Sequence, residues 1–280
     1  MTAVIVDGQR GKDYRLATDI EVMVETEAEQ ALVSASSSMP FGIPVEPVPK
    51  GGSRASGGSP FTVHLYGLDE WRKLFTSRQL LAAMTFARHT RAAADVMRVE
   101  GYPSEWIEAT MGYLAICVDR LVDYNSSVCN WDPNGEYITH TFQRCALPIK
   151  WDFSEINPIS DTTGGYIGGI DWASRYITHA LSACAESAPP RLLVASAMGI
   201  ETEPVDVILT DPPYYDAIPY SDLMDVFFVW LRRTLNGVSM TIDAVTREPL
   251  APKWDARAND GELIDDPSRF GGDKALSGNK

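Results

Sequence analysis

Asp211-Pro212-Pro213-Tyr214 offers a carboxylate, a rigid peptide carbonyl and an aromatic ring within four residues. Such a set suits methyl transfer to an amino group on an aromatic ring. That nitrogen is a poor nucleophile, because its lone pair is delocalised. Two acceptors aimed at its hydrogens draw it toward tetrahedral geometry and stabilise the positive charge that develops when it attacks a methyl sulfonium. The Asp211 carboxylate and the Pro212 carbonyl can supply those acceptors. Proline fixes φ and offers no competing N–H, so Pro212-Pro213 makes a stiff bend. Tyr214 adds a flat face on which an extruded base can stack. The competing reading is an ordinary turn closing a strand.

Further residues cluster around the quartet in sequence. Tyr215, Asp216 and Tyr220 prolong the loop, either to contact a flipped nucleotide or to order the loop itself. Ser196 and Ala197 end an apolar run, where a residue can approach a bound cofactor or simply permit close packing. Asp152, Glu155 and Asn157 form a polar group beside Trp151 and Phe153, more in keeping with a solvated turn than with a ligand site. Asp119 and Asp123 share a helix face, and Arg120 and Arg144 offer them charge partners; the pair reads as structural rather than as metal-binding. Arg232-Arg233 reads as a cationic helix end suited to the dipole, with a phosphate contact as the alternative. The four cysteines and four histidines are scattered, with no Cys-x-x-Cys pair, so no metal site is expected and the thiols read as reduced and buried. No Gly-x-Ser-x-Gly elbow supports a serine hydrolase.

Periodicity and caps define the scaffold around these residues. The β-branched runs Arg191–Ala195 and Val205–Thr210 read as buried parallel strands, which puts the quartet at the carboxyl end of the second strand. Residues 1–60 read as a linker or extended arm, with a short helix over Glu21–Leu32 and Ser/Gly/Pro-rich chain from Ser34 to Pro60. The compact part, 61–280, opens with a helical hairpin over 66–125. Thr76 and Gln79 form a capping box for a helix running to Val99, Gly101 stops it, and Pro103 opens a second helix to Tyr124. Extended segments and turns cover 125–170, with Gly164–Gly169 as a surface loop. A short helix is expected at Trp172–Cys184 and an amphipathic one at Ser221–Leu235; residues 140–250 form the α/β part that would carry the chemistry.

The chain has 38 acidic and 24 basic residues, net −14, which is the opposite of the basic surface that usually grips nucleic acid. Any basic groove is therefore local or supplied by another segment. No signal-peptide pattern and no spanning apolar run are present, so no membrane partner is expected and the cytoplasm is the default location.

Beyond the quartet, the run continues as Tyr215-Asp216, Pro219-Tyr220-Ser221-Asp222-Leu223 and Phe227-Phe228-Val229-Trp230-Leu231-Arg232-Arg233. Together with Leu74–Leu81, Asp119–Ser127, Leu147–Pro158 and Asp266–Gly272, it resembles the large prokaryotic adenine-specific DNA methylases that carry an N-terminal domain of unknown function. The resemblance spans about Tyr14 to Gly272. It implies an α/β fold, a partial Rossmann-like methyltransferase sheet with the helical hairpin inserted. It also implies S-adenosyl-L-methionine as cofactor, DNA as substrate, and N6 of adenine as the methylated atom, with the quartet as the catalytic residues. N4 of cytosine is the alternative target. Family members are several times longer and carry a Phe-x-Gly-x-Gly cofactor loop ahead of the region seen here. This chain has no such loop after a strand; Gly164–Gly169 follows the polar Ser160–Thr163 instead. The expectation is a catalytic segment completed by a second polypeptide or segment that carries the loop. The alternative is a non-catalytic remnant or subunit of a split modification or defence system.

Overall fold

The computed structural model describes residues 3–50, 61–193, 196, 204–211, 218–250, 253–255 and 260–261. The chain opens with an antiparallel hairpin, β1 (Val4–Gly8) and β2 (Gly11–Arg15), followed by α1 (Asp19–Ser37). Thr18 caps α1 through a reciprocal box with Glu21. The hydrogen bond from Arg15, with those from Thr18, lowers the Glu21 carboxyl to about 2.

The hairpin of helices anticipated in the sequence is α2 (Ser77–Val99) and α3 (Ser104–Asp123). Thr76 accepts from the Gln79 N–H, and the Gln79 side chain reaches back to the Thr76 N–H. Leu80, Ala83, Met84, Ala87 and Ala94 bury one stripe of α2, and Ile107, Met111, Ala115, Val118 and Leu121 bury the facing stripe of α3. Each large apolar side chain so buried contributes roughly 2 kcal/mol. A Glu25 carboxylate oxygen on α1 accepts from the Ser77 N–H and so satisfies an otherwise orphaned donor of α2. The core is completed by Trp71, Leu74 and Phe61 and by Val226, Val229 and Trp230 of α5 (Tyr220–Leu235), with Phe75 edge-on to Trp230 at 5.9 Å. A short α6 (Met240–Val245) follows α5.

Several sequence expectations give way here. Within the stretch read as an arm, α1 runs longer than Glu21–Leu32, and Met39 and Val48 are core residues. Composition alone gives no period by which to recognise such packing. The short helix expected from Trp172 is α4 (Tyr166–Ala183), and it starts inside the glycine-rich segment read as a surface loop. Gly164 has φ +90°, and a Cβ there would lie 2.7 Å from the Tyr124 Cβ, so only glycine fits. Gly169 lies against Cys117 of α3. The Tyr166 hydroxyl meets the Thr90 hydroxyl at 3.1 Å, and its ring packs on Phe86 at 4.5 Å, fixing the start of α4 on α2.

The architecture is mixed, with helices dominant. Among the described residues the sheets are small and antiparallel: β1–β2, β3 (Trp131–Asp132) with β4 (Tyr137–Ile138), and β5 (Trp254–Asp255) with β6 (Asp260–Gly261). No parallel sheet is formed among them. Residues 191–193 and 204–210 are exposed and not in strands, contrary to the expected pair of buried parallel strands; Val194 and Ala195 lie outside the described residues. A parallel strand draws its hydrogen bonds from neighbouring strands. No such neighbour lies beside either run among the described residues. No helix of the described residues is long and apolar enough to cross a membrane.

Candidate active site

Asp211 is exposed at the end of the 204–211 segment. Pro212, Pro213, Tyr214, Tyr215, Asp216 and Ala197 lie outside the described residues. The chain returns at Ile218, and Tyr220, half-buried, is the first residue of α5. The quartet therefore leads, a few residues on, into a helix that is buried in the core.

Two polar clusters lock that helix, and neither was legible in the sequence. Over its first two turns, the Lys253 ammonium reaches the Asp222 carboxylate at 2.8 Å, the Asp225 carboxylate at 2.9 Å and the Ser221 carbonyl at 2.9 Å. At its last turns, Arg232 and Arg233 converge on Glu46. Arg232 Nη1 donates to Glu46 Oε1 at 3.2 Å, and Arg233 Nη2 donates to Glu46 Oε2 at 2.9 Å. Arg233 also donates to the carbonyls of Phe41, Gly42, Ile43 and Val229. Its side chain is 0% exposed, which rules out the phosphate contact weighed from the sequence. Burial pulls the Arg233 guanidinium down from its ordinary range, and Glu46 opposes that pull. Arg232 in turn stacks on Phe41, 3.7 Å from the ring centre. The Gly/Pro-rich segment that supplies Phe41–Glu46 carried no period or motif by which these contacts could be foreseen.

The other sequence candidates separate in space. Ser196 donates its hydroxyl hydrogen to the Asp260 carboxylate at 2.7 Å. Asp152 is exposed, Glu155 is held by Arg78 through two bonds of 3.0 Å, and Asn157 accepts from the Ile159 N–H in a local turn. Asp119 and Asp123 form no ion pair with Arg120, and the side chain of Arg144 lies outside the described part of the chain. Asp123 Oδ2 lies 2.6 Å from His140 Nδ1, and His140 Nε2 lies 2.8 Å from the Tyr124 hydroxyl, making a chain of three. Asp119 is enclosed, its Oδ1 without a hydrogen-bond partner. Burial, reinforced by the charge of Asp123, pushes its carboxyl well above the ordinary carboxylate range. Of the thiols, Cys117 and Cys129 are buried and free, as expected, while Cys184 is exposed because the end of α4 that carries it stands clear of the core.

Compared with protein-family models, with characterised proteins and with solved structures, the chain matches none.

Of the stretches that bear on a cofactor, Ala197 lies outside the described residues and the others have structural partners. Ser196 is hydrogen-bonded to Asp260, and the one glycine-rich segment weighed for that role has become the start of α4. What the arrangement offers chemically is an exposed acidic residue, Asp211, on a segment whose downstream helix is fixed.

Proposed function

We propose that this chain is the catalytic segment of an S-adenosyl-L-methionine-dependent DNA methyltransferase acting on N6 of adenine. The observation that carries the reading is the quartet Asp211–Tyr214 running into α5, whose first two turns are held by Lys253. The Asp211 carboxylate and the Pro212 carbonyl accept the two hydrogens of the target amine, and Tyr214 stacks on the extruded base. Tyr215, Asp216 and Tyr220 line the approach of the nucleotide. The exposure of Asp211 supports this, since an acceptor for a nucleobase must be reachable.

In this reading a second polypeptide or segment brings the cofactor loop, the remaining strands of a Rossmann-like sheet and the basic surface for DNA. The exposed apolar run at Val205, Val207, Ile208 and Leu209, 56% to 91% accessible, supports that requirement. Side chains of this kind belong inside a sheet covered on both faces. A non-catalytic subunit of a split modification or defence system is the second reading. It is favoured by Gly168 and Gly169, which stand inside α4 rather than in a cofactor loop.

The test is reconstitution. Co-purified with a loop-bearing partner, the chain should transfer labelled methyl groups to duplex DNA, with N6-methyladenine as the product. Asp211→Ala should lower turnover by about 100-fold or more while the circular dichroism spectrum stays unchanged. Unchanged turnover in that variant removes the assigned role, and N4-methylcytosine as the product moves the target to the other base.

A further inference from the structure

A cavity of about 960 Å³ opens between α3 and α4, with Ile242 of α6 at its edge, and Asp211 is not among its described lining residues. Gly112 and Gly169 leave room in its walls, and Tyr113, Trp172 and Tyr176 supply aromatic surface. That size and lining suit a small organic ligand.

Arg120 gives the cavity its chemistry. Its guanidinium lies over the Trp172 ring at 4.7 Å and over the Tyr124 ring at 4.9 Å, so aromatic surface holds it in place. Among the described residues no carboxylate forms an ion pair with it, and its Nη1 is enclosed without a hydrogen-bond partner. A held cation without a counter-charge favours an anionic ligand group.

The cavity also contains Glu105 and Glu108, on the same stripe of α3. At the rise of an α-helix they stand about 22 and 18 Å along the axis from Arg120. Charges that far apart are largely screened in water, so the carboxylates do not neutralise the Arg120 end. Ile116 and Tyr113 lie between, about 6 and 10 Å from Arg120 along the helix, and present apolar wall. Burial raises the Cys117 thiol above its ordinary range, so this cavity residue is packing surface rather than a nucleophile.

We propose that the cavity between α3 and α4 binds a small apolar carboxylate, its acid group on Arg120 and its hydrocarbon or aryl body along Ile116, Tyr113 and Tyr176. Nucleic acid fits less well, because among the described residues the lining offers one cation, Arg120, against the two carboxylates of Glu105 and Glu108.

Isothermal titration of the full chain with decanoate, decanol and a single-stranded oligonucleotide tests this. Decanoate should bind at least tenfold tighter than decanol. Arg120→Met should lose at least tenfold in decanoate affinity and leave decanol unchanged. Ile116→Trp, at an exposed position of the wall, should block both. Equal binding of decanoate and decanol, or an Arg120→Met variant that folds and binds decanoate normally, overturns the proposal. So does an oligonucleotide that binds and displaces decanoate.

Discussion

Replacing Glu46 tests how α5 is held. Its carboxylate faces two guanidiniums, Arg232 at 3.2 Å and Arg233 at 2.9 Å, and it is 8% exposed. Glu46→Ala leaves both cations buried without their counter-charge. Breaking a buried pair from one side costs about 3–5 kcal/mol, because the desolvation of the remaining charge is no longer offset. For a chain of this size that corresponds to a fall in Tm of roughly 10 °C. Glu46→Gln keeps an acceptor but loses the charge, and should cost about half as much. Urea denaturation followed by far-ultraviolet circular dichroism gives the free energies, and calorimetry gives Tm. A loss below about 1 kcal/mol for Glu46→Ala, the value of an exposed pair, would refute the argument that this cluster is buried and holds the helix.

Two more variants probe the same core. Asp119 has its folded pKa raised above the ordinary 3.8, so its contribution to stability is fully present below that value and is lost as pH rises through the folded pKa. Asp119→Asn should therefore raise Tm at pH 8 and have little effect at pH 4; equal shifts at both pH values would contradict the burial of a charge-averse carboxyl. Gly165→Ala would drive a Cβ into the Ser160 carbonyl oxygen and should destabilise the chain by about 1–3 kcal/mol in chemical denaturation, with unchanged stability showing that the turn before α4 can shift freely.

Helices with local signals could be read straight from the chain. The capping box at Thr76, the stop at Gly101 and the stripe of Leu80, Met84 and Ala87 act within one or two turns, so they needed no knowledge of partners. The same holds for α3 and α5, whose apolar periods the core simply receives. Other features were set by long-range contact. Glu46 meets Arg233 across 187 positions of chain, and no spacing rule reaches that far. Gly169 sits in a helix packed against Cys117, whereas glycine-rich composition suggests a loop. Val205–Thr210 has the residues of a buried strand, yet a strand exists only when another pairs with it. Local propensity fixes what a segment is able to become, and the distant partners available to satisfy its hydrogen bonds and charges fix what it does become.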